Sequence, residues 1–183
     1  MPKRILEHFI LMGTSTVSDI AKNIDVSLPT AAAALNDLMV HGLVKEVGKK
    51  ETTTGRIPML YDLNPKAGYF VGANPEMSHL ALTATDFCGN PIVEKTNVPY
   101  LYENTVENLE QMGQILNQFI DSLPVKREDI LNVCVNIAER VNAHEGKTYT
   151  IFSFNEEPLT KRISEMIDLP VCIENDTRSM TYA

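Results

Sequence analysis

Tryptophan is absent from this chain of 183 residues, and cysteine is scarce. The three cysteines, Cys88, Cys134 and Cys172, stand far apart, with neither the paired spacing of a metal site nor the even number of a disulfide framework. All three lie in or beside apolar runs. We therefore expect buried, reduced thiols, no bound metal and no cofactor.

Long apolar runs are also missing. No stretch approaches the roughly 20 apolar residues of a membrane span, and the first residues lack the apolar segment of a secretory signal. These absences predict a cytoplasmic protein with no membrane partner. Apolar residues still make up 44% of the chain, which is enough for a packed core.

Positive charge is scarce beyond the first third. Residues 1–66 carry 8 Lys and Arg against 7 Asp and Glu, for a net charge of +1, whereas residues 67–183 carry 8 against 17, for −9. The body of the protein should repel nucleic acid. Any contact with DNA is therefore expected from the first 66 residues.

Those first residues have the pattern of three helices and a hairpin. Apolar spacing predicts helices over about residues 2–12 and 17–24. A third follows, with Ser27 as N-cap, Pro29 in the first turn and Gly42 at its end. Two apolar runs, 43–47 and 57–63, then flank a polar tip. This order predicts a winged helix-turn-helix domain.

The third helix is the candidate DNA reader. Its outward positions by register are Ser27, Pro29, Thr30, Ala33 and Asn36. Thr30 and Asn36 offer hydrogen bonds to bases, and alanine and proline suit thymine methyl groups. The helix carries no Lys or Arg between Ser27 and His41, so arginine readout of guanine is excluded there. A winged helix used for protein contact is the alternative.

The polar tip supplies basic residues. Lys49, Lys50 and Arg56 surround Thr52–Thr54, and we expect them to contact phosphates, with Arg56 suited to a narrow minor groove. A solvated turn is the alternative for the two lysines. The four histidines, His8, His41, His79 and His144, are scattered, and we expect them at the surface or at interfaces.

Residues 67–183 predict a mixed sheet with helices packed on it. Strands are expected at 69–73, 80–86, 92–98, 131–138 and 171–174. The strand at 131–138 is expected to be buried on both faces. A helix capped by Asn104 should follow the third strand, another should span 158–167, and a last one should start near Thr177.

Two segments resemble a known family. The run Gly55–Pro65 is similar to the junction in ROK proteins (repressors, open reading frames and sugar kinases), and Leu169–Asp176 resembles the family's Leu-Pro-Val…Glu-Asn-Asp segment. The resemblance implies a winged helix-turn-helix at 1–66 and an incomplete actin/hexokinase-like (ribonuclease-H-like) mixed-sheet lobe at 67–183.

The phosphate-binding turn of the family's kinases is altered here. Its glycines and hydroxyl are matched by Asn74–Ser78. Pro75 has no N–H to donate, Glu76 places a negative charge where phosphate would lie, and Met77 crowds the backbone. The resemblance therefore implies a protein that is not a kinase.

The sugar site is partly kept. The glycines of a second family motif are replaced in Cys134–Glu139, and the family's zinc-binding segment would lie past residue 183. Asn175 and Asp176 match the family's sugar-binding pair, in which the Asp is the catalytic base of the kinases. A simple Asn-Asp cap of the following helix is the alternative.

Taken together, these features predict a sequence-specific regulator that binds double-stranded DNA, most simply a repressor of sugar-metabolism genes. A sugar or sugar phosphate would be its effector, and a homodimer its working form. Two alternatives stay open. One is an ATP-dependent ROK sugar kinase with an added DNA-binding domain; the other is a truncated family member acting only by protein contact.

Overall fold

The computed structural model describes residues 1–50, 57–154 and 156–181. The chain folds as two compact units, Met1–Ala67 and Gly68–Ala183. Within the described ranges, no helix is both long and apolar enough to span a membrane.

The first unit is three helices followed by an antiparallel hairpin, as the sequence predicts. The elements are α1 (Pro2–Met12), α2 (Val17–Asn23), α3 (Leu28–Val40), β1 (Val44–Lys49) and β2 (Met59–Leu63). Its core contains Ile5, Phe9, Ile20, Ala31, Leu35 and Leu38, all nearly inaccessible to solvent.

Capping residues set the helix boundaries of this unit. Thr16 and Asp19 form a reciprocal capping box at the start of α2, and Ser27 caps α3. Asp25, at φ 51°, makes the tight turn between them. The geometry of the helix-turn-helix is thus fixed by local polar contacts as well as by the apolar core.

His8 corrects one expectation for α1. It is 5% exposed, not a surface residue. Its Nε2 lies 2.9 Å from Ser15 Oγ, and its Nδ1 lies 3.1 Å from Asn23 Nδ2. Ile10, which continues the apolar pattern of α1, is instead 71% exposed. The buried stripe of α1 is therefore Ile5, His8 and Phe9.

The second unit is built on a five-stranded mixed sheet. Its strands are β3 (Tyr69–Pro75), β4 (His79–Asp86), β5 (Pro91–Pro99), β6 (Ile130–Ile137) and β9 (Val171–Asn175); β7 (Val141–Asn142) and β8 (Lys147–Thr148) form a separate small hairpin. The strand order of the sheet is β5-β4-β3-β6-β9, in which β3–β4 and β4–β5 are antiparallel and β3–β6 and β6–β9 are parallel.

Helices pack on this sheet. They are α4 (Val106–Asp121), α5 (Leu159–Ile167) and the short α6 (Asp176–Met180). The buried stripe of α4, which includes Leu109, Met112 and Leu116, joins Val133 and Val135 of β6 in one apolar core. At Gly113 an added Cβ would lie 2.8 Å from Met166 Sδ, so glycine permits the close packing of α4 against α5.

Four details differ from the sequence-based expectations. The N-cap of α4 is Thr105, and the Asn104 side chain instead accepts from Phe152 N at 2.7 Å. The strand β6 is not buried on both faces, because Cys134 and Asn136 are only half-buried. Cys88 is exposed, and the other two cysteines are half-buried. A small hairpin of β7 (Val141–Asn142) and β8 (Lys147–Thr148) has no counterpart among the predicted elements.

Candidate nucleic-acid interface and candidate sugar site

The expected DNA-reading residues share one exposed surface of α3. All five are exposed to solvent, while Ala31, Leu35 and Leu38 of the same helix are buried. The five are Ser27, Pro29, Thr30, Ala33 and Asn36. The helix thus presents the short side chains of its first turns outward, which is the geometry that a major-groove reader needs.

The first turn of α3 is held by its own side chains. Ser27 Oγ accepts from Thr30 N at 3.3 Å and lies 2.7 Å from Thr30 Oγ1. These contacts orient both hydroxyls at the helix N-terminus. A phosphate or base edge approaching this end would meet two hydroxyls and the positive end of the helix dipole.

The wing lysines differ in their surroundings. Lys50 Nζ lies 3.7 Å from Asp19 Oδ2, on the first turn of α2. Hydrogen bonds from Thr16 lower the pKa of the Asp19 carboxyl, and Lys50 lowers it further. Asp19 is therefore an anion that would compete with a phosphate for Lys50. Lys49 ends β1 and is exposed. Arg56 lies outside the described residues.

The sequence alone did not predict an apolar groove beside α3. It lies within the first unit, between α2, α3 and β2, and its lining includes Leu28, Ala32, Ile57 and Met59. Leu28 and Ile57 are each 52% exposed. Periodicity could have identified Leu28 as an outward apolar position, but the approach of β2 to α3 is a tertiary contact that no local pattern reports.

The altered phosphate turn is shorter than the sequence suggests. The strand β3 continues through Asn74 and Pro75, and Pro75 is the register partner of Leu80. Proline is tolerated there because β3 pairs with β6 only as far as Ala73, so no ladder bond is lost on that side. The turn itself is Glu76–Ser78.

The N–H and the carboxylate of Glu76 are both bonded within the hairpin. Glu76 N donates to His79 O at 2.8 Å, closing the hairpin. The Glu76 carboxylate lies 3.1 Å from His79 Nε2, and Asn74 Nδ2 donates to it at 3.5 Å. The turn thus presents a carboxylate and one exposed methionine, Met77. That carboxylate would repel an anionic phosphate chain.

Asn175 and Asp176 lie together at the carboxyl end of β9. Asn175 Oδ1 accepts from Arg178 N at 3.0 Å, and its Nδ2 donates to Glu139 O at 3.0 Å. Asn175 therefore caps α6 and ties β9 to the end of β6. Asp176 Oδ1 accepts from Thr177 N at 2.7 Å, and its Oδ2 accepts no hydrogen bond from any described residue. The carboxylate of Asp176 keeps an oxygen for a ligand.

Two further side chains converge on this end of the sheet. Tyr102 Oη is buried without a hydrogen-bond partner among the described residues. Burial raises the pKa of Tyr102, and the nearby carboxylates of Glu139 and Asp176 raise it further. Glu139 Oε1 accepts from Ile151 N at 2.8 Å. The sequence alone did not identify Tyr102, because its loop comes close to β6 and β9 only in the folded chain.

Carboxyl ends of parallel strands are the usual ligand-binding edge of such sheets. Here that edge carries the carboxylates of Glu139 and Asp176, whose oxygens are suited to the hydroxyl groups of a sugar, and the Tyr102 hydroxyl is buried nearby. In the described part of the chain, no group of three or more His, Cys, Asp or Glu residues could hold a metal ion.

Comparisons with known proteins agree with this architecture. The chain is 26% identical over 179 residues to a putative xylose repressor of Caldicellulosiruptor sp. (strain Rt8B.4), covering 97% of this chain and 44% of that protein. It is 22% identical over 182 residues to the xylose repressor of Bacillus spizizenii (strain ATCC 23059 / NRRL B-14472 / W23), covering 98% and 47%. The chain thus spans about half the length of these curated relatives.

A solved structure supports the fold. The crystal structure of a ROK family transcriptional regulator, described as a homolog of the E. coli MLC protein, matches 98% of this chain and 46% of its own, with a TM-score of 0.74 and 16% identity. No family model matches the chain. The predicted resemblance to ROK regulators is confirmed, and so is the predicted fold of a winged helix followed by a mixed-sheet lobe.

Proposed function

We propose that this chain, which resembles ROK-family regulators in sequence and fold, is a sugar-responsive transcriptional repressor that binds operator DNA through its first unit. The observation that carries the proposal is the outward surface of α3. Five short side chains are exposed there, at the end of a helix held by the Ser27–Thr30 contacts. Since a repressor acts on chromosomal DNA, we place it in the cytoplasm. We also propose that it works as a homodimer on a two-fold operator.

The distribution of net charge supports the assignment of DNA binding to the first unit. The net charge of +1 on residues 1–66 and of −9 on residues 67–183 restricts DNA contact to the winged helix. Because α3 has no cationic residue at its reading surface, its specificity comes from Thr30 and Asn36 hydrogen bonds and from apolar contact with thymine methyl groups. Lys49, Lys50 and Arg56 supply the phosphate contacts.

The effector is proposed to be an aldopentose, because the curated relatives are named xylose repressors. Asp176 Oδ2 would accept hydrogen bonds from sugar hydroxyls, and Asn175 would hold the strand end in place. Glu139 and Tyr102 lie at the same edge. Binding there would shift the affinity of the protein for its operator.

Phosphoryl transfer is not part of the proposal. The turn at Glu76–Ser78 places a carboxylate where a nucleotide phosphate would need donors, and Pro75 contributes none. Asp176 is therefore assigned to binding and not to general-base catalysis.

A selection from a pool of random duplexes tests the DNA part of the proposal. The full chain should enrich one palindromic sequence, and Asn36→Ala should relax the preference at defined positions of each half-site. The matched control, Asn132→Ala, removes an amide from β6 of the second unit and should leave the selected sequence unchanged. Enrichment of no common sequence by the wild-type chain would contradict the proposal.

A further inference from the structure

Two thiols face each other across neighbouring parallel strands of the second unit. Cys134 of β6 is the register partner of Cys172 of β9. Adjacent strands lie about 4.8 Å apart, and disulfides usually join Cα atoms separated by about 4.4–6.8 Å. The register therefore places these two cysteines side by side, at a strand spacing that lies within the range of Cα separations in disulfides.

Both side chains lie on the face of the sheet opposite the α4 core. Val133 and Val135, which flank Cys134, are fully buried in that core, and Ile173, which follows Cys172, is buried as well. Side chains alternate along a strand, so the two cysteines point to the other face. They are half-buried there, and each thiol perturbs the pKa of the other.

The two thiols differ in their place in the sheet. Cys172 lies on the edge strand β9, whereas Cys134 lies on β6, between β3 and β9. The interaction with Cys134 lowers the pKa of Cys172, and the interaction with Cys172, together with burial, raises the pKa of Cys134. Position and pKa both favour Cys172 as the thiol that reacts first, because the thiolate is the reactive form of cysteine.

We propose that Cys134 and Cys172 form a peroxide-sensitive dithiol that closes an intramolecular disulfide between β6 and β9. The Cys172 thiolate attacks one oxygen of a hydroperoxide, the O–O bond breaks, and the leaving oxygen departs as water or an alcohol. Cys172 becomes a sulfenic acid. Cys134 then attacks that sulfur, the S–S bond forms, and the sulfenic oxygen departs as water.

In this scheme Cys172 is the attacking residue and Cys134 the resolving residue. Two thiols are oxidised for each peroxide reduced, and an added dithiol reagent restores the starting state. The exposed Cys88, in the turn between β4 and β5, is expected to take no part. The inference does not depend on what the protein binds.

The test treats the full chain with hydrogen peroxide, alkylates the remaining thiols under denaturing conditions and maps the linked peptides by mass spectrometry. A Cys134–Cys172 disulfide is expected in the wild type and in the control Cys88→Ser, and its reversal by dithiothreitol is expected in both. Cys134→Ser should instead let dimedone trap a sulfenic acid at Cys172, and Cys172→Ser should lose both the disulfide and the trapping.

Circular dichroism shows whether the serine variants are folded. If a variant does not fold, the disulfide map of the wild-type chain still tests the proposal. The proposal is overturned by three alkylated cysteines after peroxide treatment of the wild type. It is also overturned by a disulfide that involves Cys88, or by sulfinic acid on Cys172 while Cys134 stays reduced.

Discussion

The ammonium group of Lys50 lies 3.7 Å from the Asp19 carboxylate, and this contact joins the wing to the first turn of α2. Both side chains are about half exposed, at 53% and 50%. Lys50 is one of only two described lysines near the wing tip, so its partner bears on the proposed contact with DNA phosphates. Asp19 forms the ion pair with Lys50 and also forms the capping box of α2 with Thr16.

Replacing Asp19 with asparagine should strengthen DNA binding. The substitution keeps a side-chain oxygen for the cap, removes one negative charge and frees Lys50 for phosphate. We expect affinity for a duplex to rise about threefold to tenfold at low salt, and the gain to shrink as salt is added. Fluorescence anisotropy across a salt series measures this.

The control for this experiment is Glu7→Gln. It removes the same charge from α1 of the same unit, where Glu7 pairs with Lys3. A smaller change is expected from it. Equal gains in the two variants would show that net charge, and not release of Lys50, is responsible.

The buried His8 should make the first unit less stable in acid. Burial lowers the pKa of His8 in the folded state below 6.5, with the nearby Asp19 carboxylate opposing the shift. The unfolded chain then binds a proton more readily than the folded one. The contribution of His8 is complete above pH 6.5 and is lost as the pH falls from there toward the folded pKa.

Urea unfolding in a series of buffers from neutral to mildly acidic pH measures this dependence. In His8→Gln the free energy of unfolding should be lower at neutral pH but should fall less on acidification. His41→Gln, which replaces an exposed histidine of the same unit, is measured alongside it as the comparison. An unchanged slope in His8→Gln would contradict the assignment.

The polar network around Asn108 should be essential to the second unit. Asn108 is 6% exposed; its Oδ1 accepts from Tyr100 Oη at 2.6 Å and from Glu103 N at 3.0 Å, and its Nδ2 donates to Leu101 O at 2.7 Å. Asn108→Ala leaves the Tyr100 hydroxyl, the Glu103 N–H and the Leu101 carbonyl without these partners. We expect a loss of about 2–4 kcal/mol in the free energy of unfolding.

Chemical denaturation of the variant tests this expectation. The exposed Asn97 of β5 provides the comparison, because Asn97→Ala removes an amide from the surface of the same unit. Its effect should stay within about 0.5 kcal/mol. Similar losses in the two variants would rule out a special role for the network.

The proposed sugar contact predicts a selective loss of binding. Asp176→Asn keeps the size of the side chain but removes its charge, so the affinity for D-xylose should fall by about tenfold to a hundredfold. Isothermal calorimetry measures the affinity, and thermal unfolding shows whether the fold is kept. Glu165→Gln, which alters an exposed carboxylate of α5 paired with Lys161, should bind sugar as the wild type does.

Asn175→Ala should behave differently from Asp176→Asn. Because Asn175 caps α6 and ties β9 to Glu139 O, its loss should lower both sugar affinity and thermal stability. Loss of sugar affinity in Asn175→Ala with no loss of stability would instead indicate direct contact by the Asn175 amide.

Local patterns are enough to predict the order of the helices and of the longer strands, and tertiary contacts explain several of the differences. The apolar spacing of α4 and the Ser27 cap of α3 are readable because each acts within one turn of helix. The sequence predicts that β3 ends before Pro75, yet the strand continues through its pairing with β4. Proline is tolerated there because β6 stops pairing with β3 two residues earlier. That relationship joins residues about 60 positions apart in sequence and has no local signal.

The candidate sites divide in the same way. The exposed residues of α3 follow from helical register alone. The Asp19–Lys50 ion pair, the convergence of Tyr102 with Glu139 and Asp176, and the pairing of Cys134 with Cys172 each depend on how distant segments meet. Composition predicts buried thiols, whereas their arrangement as a facing pair requires the strand order of the sheet.

Binding of the full chain to a labelled duplex from its own promoter, compared with a scrambled duplex of the same composition and with and without D-xylose, tests the central claim most directly. We predict binding to the promoter that is at least about a thousandfold tighter at moderate salt, and a clear change in that affinity on addition of the sugar. Equal affinity for the two duplexes, unaffected by any pentose, would contradict the account.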